Sequence, residues 1–217
     1  MSEAGPNQIS ERGQGVIATA VLGAGAIVTR ADSAAVEKLV SDLQSSDEAV
    51  RGAAWQDAAT LGAPAVKPLA ALMTHQDFEI ARSAKRALWK IVRHAARPRA
   101  DKERKAVQAE LLMLLFATPL SVCREALWML SEFGDSSVVE DVAKLLREAE
   151  ICEDARCALE RMPTSKATQA LERAMETAPV DFRPALANSL RVRGHDIRGY
   201  PSQKLKPSRQ TSVEPKK

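Results

Sequence analysis

Between Asp32 and Gly194 the chain alternates short polar punctuation with amphipathic segments of 11 to 19 residues, inside which apolar residues recur at intervals of three and four. That period is helical, and it predicts ten helices in five pairs. The first pair covers about Ser33 to Leu43, with Val36, Leu39, Val40 and Leu43 on one face, and Asp47 to Leu61, where Asp47 is a natural N-cap and Gly62 a stop. In the second pair Pro64 opens a helix that buries Val66, Leu69 and Leu72. Asp77 then caps a long helix whose Ile80, Ala84, Leu88, Ile91 and Ala95 face inward until Pro98 ends it. The third pair follows the basic stretch Arg97 to Lys105, runs through Val107, Leu111, Leu114 and Leu115 to Pro119, and resumes from Val122 to Phe133, with Gly134 behind it. The fourth uses Val138, Val142, Leu145 and Leu146, then Ala155, Leu159 and Met162. The fifth uses Ala167, Ala170, Leu171 and Ala174, then Phe182, Leu186 and Leu190.

The helices are internally repetitive. An Arg-x-Ala triplet opens the second helix of each pair, at Arg51, Arg82, Arg124, Arg156 and Arg183, with spacings of 31, 42, 32 and 27 residues. Such a period is that of one supersecondary unit stacking on the next, each burying a face that it could not bury alone. The long spacing is assigned to an extended helix plus a loop inserted at 97–105. A second register competes with the first, because Ala87-Leu88-Trp89 matches Ala126-Leu127-Trp128 and so equates Lys85 with Arg124. Two further triplets, at Arg93 and Arg104, fall off the period. The fold class expected is all-α, an α-solenoid of about five stacked antiparallel helix pairs over residues 32–194. A weakly ordered N-terminal arm, 1–31, and a basic C-terminal tail, 195–217, flank it.

Helix pairs of roughly 30 residues whose second helix opens as Asp47-Glu48-Ala49-Val50-Arg51-Gly52-Ala53-Ala54, followed by Leu61-Gly62, resemble HEAT repeats, in particular the short bacterial kind also found in phycobilisome lyases. The resemblance covers residues 33 to 194. It implies that Arg51, Arg82, Arg124, Arg156 and Arg183 pair with Asp47, Asp77, Asp154 and Asp181 across neighbouring repeats and stiffen the stack. It implies a non-catalytic binding scaffold rather than a reaction, because fold and function are separable.

Charge changes the picture. The net charge of +3 conceals +8 over residues 82–105 and +5 over residues 198–217, which leaves −10 for the rest. An anionic partner is therefore attracted to two places and repelled elsewhere. On the helix after Asp77 the cations Arg82, Lys85, Arg86, Lys90, Arg93 and Arg97 lie opposite the apolar arc, and Trp89 falls among them. A cationic stripe around an aromatic suits an acidic peptide, a phosphate backbone or an unstacked base. The plainer reading is a solvated helix face with Trp89 wedged against the preceding helix. The candidate partner-binding residues are accordingly Arg82, Lys85, Arg86, Trp89, Lys90 and Arg93. The tail cations Lys204, Lys206, Arg209, Lys216 and Lys217 read as a solubilising terminus or a tether.

Other chemistry is sparse. Trp55 and Trp128 each follow a repeat arginine by four residues, which assigns them to the core. His75, His94 and His195 have no ligand spacing, Cys123, Cys152 and Cys157 read as free thiols, and no nucleophile, phosphate-loop or zinc-protease motif is present. No cofactor or metal is expected. The uncharged run 15–28 is too short to cross a bilayer and gives two readings, the N-terminal arm of a cytoplasmic protein or an atypical export signal. The expected function is a monomeric, non-enzymatic scaffold binding a protein partner, with an acidic segment favoured. The alternatives are a nucleic-acid-binding helical-repeat protein using 82–105 and the tail, and a lyase-like or chaperone-like accessory protein.

Overall fold

The computed structural model describes residues 30–117 and 119–201; the run 15–28 and the tail lysines and arginine from Lys204 to Lys217 lie outside them. The described elements are ten α-helices, joined by short 3₁₀ turns. They are α1 (Arg30–Leu43), α2 (Glu48–Asp57), α3 (Val66–Leu72), α4 (Phe78–Ala95), α5 (Asp101–Ala117), α6 (Leu120–Phe133), α7 (Val139–Lys144), α8 (Cys152–Arg161), α9 (Ser165–Thr177) and α10 (Arg183–Val192). No strand occurs among the described residues.

Local chemistry sets the boundaries. Asp47 accepts from the backbone N–H of Ala49 at 2.8 Å, and Asp77 accepts from Glu79 and Ile80 at 2.8 and 3.3 Å, so each carboxylate satisfies donors that a helix start leaves unpaired. Replacing Asp77 by alanine is expected to cost about 1 kcal/mol in a urea-unfolding titration, the usual size of a lost N-cap. At the other end of the stack Gly194 takes a positive φ of 86°, His195 N–H donates to Leu190 at 2.9 Å, and Gly194 N–H donates to Arg191 at 2.9 Å. This closes α10 with a left-handed cap that glycine adopts without strain.

The packing has translational order. The first helices of successive pairs form one layer, in which α1 meets α3, α3 meets α5 and α7 meets α9. The second helices form the other, in which α2, α4, α6, α8 and α10 each touch the next. Between the layers one continuous apolar seam runs from Val36 to Leu190, with Leu69, Leu88, Ile91, Leu111, Leu130 and Leu159 at most 1% exposed. Apart from α2, which fully buries no residue, the helices turn their apolar faces to a pair partner and to a neighbouring pair.

Two expectations are corrected. The basic stretch 97–105 is not an inserted loop throughout: α5 starts at Asp101, and only Ala96 to Ala100 connect it to α4. Asp101 and Glu103 in its first turn favour a helix start, Arg97 grips Glu103 with two bonds of 2.6 and 2.7 Å, and Arg104 donates to the Ala96 carbonyl at 2.9 Å. The repeat arginines also do not form a uniform ladder. Only Arg124 reaches an acid of the next unit, Asp154, at 3.2 Å. Arg51 donates to the Ser45 carbonyl, Arg82 pairs with Glu79 on its own helix, and Arg183 donates to the Ala178 carbonyl. Asp47 and Asp77 serve as caps, which removes them as ladder partners. Arg156 bonds Glu153 and Glu160 on its own helix and crosses to the Ser189 hydroxyl of α10 at 2.5 Å. Burial pulls its guanidinium down, yet the bond to Glu153 and the neighbouring acids hold it above its ordinary value.

Candidate partner-binding groove

The layer of second helices carries the groove. Helix α4 supplies its floor, α2 borders it on one side with Trp55, and α6 on the other with Ser121 and Glu125. The cavity is about 810 Å³. All six candidate residues line it, so the structure brings together Arg82, Lys85, Arg86, Trp89, Lys90 and Arg93. The apolar arc of the same helix, Ile80, Ala84, Ala87, Ile91 and Ala95, is buried, which turns the cations outward.

The cations divide into two groups. Arg82 is paired with Glu79 at 3.2 Å and Lys85 with Glu125 at 2.5 Å. Arg86 and Lys90 instead lie over the Trp55 ring, 5.2 and 5.7 Å from its centroid, and Arg93 lies over Trp89 at 5.2 Å. Among the described residues these three have no carboxylate partner. Trp89 is half-buried, and its indole N–H reaches the following second helix, where it donates to Glu125 Oε1 at 2.6 Å. Phe78, 71% exposed at the start of α4, and Met73 add apolar surface at the rim.

Trp55 and Trp128 depart from the core assignment. Trp55 is half-buried as the platform for Arg86 and Lys90, and Trp128 is 50% exposed beneath Arg161, whose guanidinium sits 4.8 Å from its centroid. Their position four residues after a repeat cation places them at the edge of a second helix that faces the next one. There each ring covers the crevice between helices and keeps one side wet. Sequence reasoning missed Glu125 and Arg161 altogether. The Ala-Leu-Trp register did contain the signal for Glu125, since equating Lys85 with Arg124 also equates Arg86 with Glu125.

Among the described residues no group of three metal-ligating side chains occurs and no helix is long and apolar enough to cross a membrane. Cys123, Cys152 and Cys157 are free thiols, and burial pushes all three above the ordinary thiol value, which disfavours the reactive thiolate.

The chain is a helical-repeat protein. Its sequence matches no family model and no curated protein. Solved structures that resemble it include an engineered protein, 24% identical over 72% of this chain and 78% of that chain with a TM-score of 0.38. Another is a designed armadillo repeat protein in complex with the peptide (KR)4, 20% identical over 75% and 83%, with a TM-score of 0.41. A computationally designed armadillo repeat protein for modular peptide recognition is 19% identical over the same shares, with a TM-score of 0.40. The repeat architecture of this chain rests on its own helix packing.

Proposed function

We propose that this protein is a non-enzymatic interaction scaffold of the HEAT-like kind whose α4 groove binds an acidic segment of a partner protein. One observation carries the reading: Arg86, Lys90 and Arg93 are held over tryptophan rings in a single groove and, among the described residues, pair with no carboxylate. The rings fix the position of long cationic side chains that otherwise lose rotamer entropy on binding, so an incoming carboxylate meets preorganised donors. Apolar surface from Phe78 and Met73 at the rim gives a hydrophobic side chain of the ligand somewhere to lie.

A nucleic-acid ligand is the second reading, motivated by the +8 of residues 82–105. It is disfavoured because the rings that a base would stack on already carry Arg86, Lys90 and Arg93. A variant with Arg86, Lys90 and Arg93 all changed to glutamate should lose an acidic peptide at least tenfold in fluorescence anisotropy, while keeping its helical circular dichroism. Unchanged peptide binding by that variant rejects the groove. A single-stranded oligonucleotide that binds more tightly than the peptide, and weakens steeply between about 50 and 200 mM salt, favours the second reading.

A further inference from the structure

The α4 groove changes character along its length. From Phe78 to Arg93 the helix axis rises about 22 Å. Phe78, 71% exposed, and Met73 make the end at the start of α4 apolar. Arg82 and Lys85 follow, and both are answered, by Glu79 at 3.2 Å and by Glu125 at 2.5 Å. Beyond them stand Arg86, Lys90 and Arg93, which pair with no carboxylate among the described residues, Arg93 in the last turn of the helix. The groove thus grades from apolar surface, through neutralised charge, to open positive charge.

The open cations follow one another by four and then three residues on a single helix, so they form a row parallel to the α4 axis, about 10 Å long. A second helix laid beside α4 has the same rise, and carboxylates three and four residues apart on one of its faces meet all three cations. An extended backbone finds little here. Among the described residues that line the groove there is no Asn, Gln or Thr, the one hydroxyl is that of Ser121, and the Trp89 N–H is already taken by Glu125. A helix pairs its own N–H and C=O groups and needs none of these partners.

Given the acidic-ligand reading of the groove, on which this rests, we propose that the occupant is an amphipathic helix of the partner protein laid antiparallel along α4. Its acidic N-terminal turns face Arg93, Lys90 and Arg86, and its apolar C-terminal part covers Phe78 and Met73. The direction follows from charge. Carboxylates stabilise a helix in its first turns, where backbone N–H groups are unpaired, so the acidic part of a stable segment lies at its N-terminus. Placing that end at Arg93 sets it beside the C-terminal end of α4, where the two helix dipoles attract. The apolar end then removes Phe78 from water, while Glu79 and Glu125 repel the acids of a reversed helix. A helix that spans the groove has about 15 residues.

Three fluorescein-labelled peptides of about 18 residues test it on the full chain at about 50 mM salt, with hexaglutamate as the unstructured acidic control. The first is an alanine-glutamine helix with three glutamates near its N-terminus and two leucines near its C-terminus, all on one face. The second carries the same residues in reverse order. In the third, a central alanine of the first, off that face, is replaced by proline, which breaks the helix. Wild type should bind the first at least tenfold more tightly than the other two in fluorescence anisotropy. Arg93→Gln should weaken the first about tenfold, and Phe78→Ala, at an exposed position, should remove most of its advantage over the second. Equal binding of the first two peptides overturns the direction, and equal binding of the first and third overturns the helix. Wild type that binds hexaglutamate but none of the three rejects the helix and keeps the groove. Wild type that binds no acidic peptide at all rejects both.

Discussion

Replacing Arg193 by methionine is expected to lower the stability of the chain by about 3 kcal/mol. Its guanidinium closes the gap between the fourth and fifth helix pairs. Nε donates to the Thr168 hydroxyl at 2.8 Å, Nη1 to the carbonyls of Leu159, Glu160 and Met162 at 3.2, 2.9 and 2.7 Å, and Nη2 to the Thr164 carbonyl at 2.7 Å. Pro163 brings no N–H to the end of α8 and the Thr164 N–H goes to the Met162 carbonyl at 2.8 Å, so at the Leu159 and Glu160 carbonyls one planar cation does the capping that backbone N–H groups would otherwise do. Burial lowers the Arg193 guanidinium from its ordinary value because it is partly withdrawn from water, and the neighbouring Glu160 works in the opposite direction. Methionine keeps the apolar stem and removes the donors, so the loss reports the hydrogen bonds. For a chain of this size a 3 kcal/mol loss moves the thermal midpoint by about 10 °C. Lysine should recover less than half, because a point charge cannot serve acceptors fanned around a plane. A midpoint within about 2 °C of wild type for Arg193→Met would show the α8 carbonyls to be satisfied by water instead.

The second large effect is expected at Gly134, where alanine should cost about 2–3 kcal/mol. The reason is crowding, since its φ of −62° is one that alanine adopts freely. A Cβ built there lies 2.4 Å from the Leu130 carbonyl oxygen, 2.9 Å from Val138 Cγ2 and 3.2 Å from Met162 Cε. The methionine end can swing away, but the carbonyl accepts from Gly134 N–H at 2.7 Å and is fixed by the helix. The chain after α6 must therefore shift, and with it the packing of Val138 against Met162 at the step from the third pair to the fourth. Gly52, whose added Cβ would meet nothing within 4 Å, supplies the comparison on α2. Gly52→Ala should leave stability unchanged or raise it by up to about 1 kcal/mol through helix propensity. Equal midpoints for the two alanine variants in urea would refute the crowding argument.

Much of the architecture was legible because it depends on periodicity and on a few backbone rules. Apolar residues at intervals of three and four placed the seam through Val36, Leu69, Ile91 and Leu159, all buried. Asp47 and Asp77 were readable as caps for the same reason: a short acceptor ahead of an apolar run has unpaired N–H groups in reach. The outward cationic face of α4 followed from the helical angle alone. The inserted loop at 97–105 was misplaced because a dense run of lysine and arginine obscures a helix start, whereas the Arg97–Glu103 pair that supports α5 depends on how the chain turns at Ala96 to Ala100.

Sequence by itself determined the repeat, the helix pairs, the buried seam and the residues that form the cationic stripe, since each is a property of local spacing. Tertiary structure alone decided which cations are already neutralised. Lys85 is matched by Glu125 from 40 residues away, whereas Arg86, Lys90 and Arg93 rest on tryptophans. It also decided that Trp55 and Trp128 bridge crevices between helices instead of filling the core, and that Arg193 gathers carbonyls from α8 and the turn beyond it. The physical reason is common to all three. A helical period fixes the direction in which a side chain leaves its own helix, but the partner it meets belongs to the next helix, and the relative shift of two packed helices is set by the whole interface.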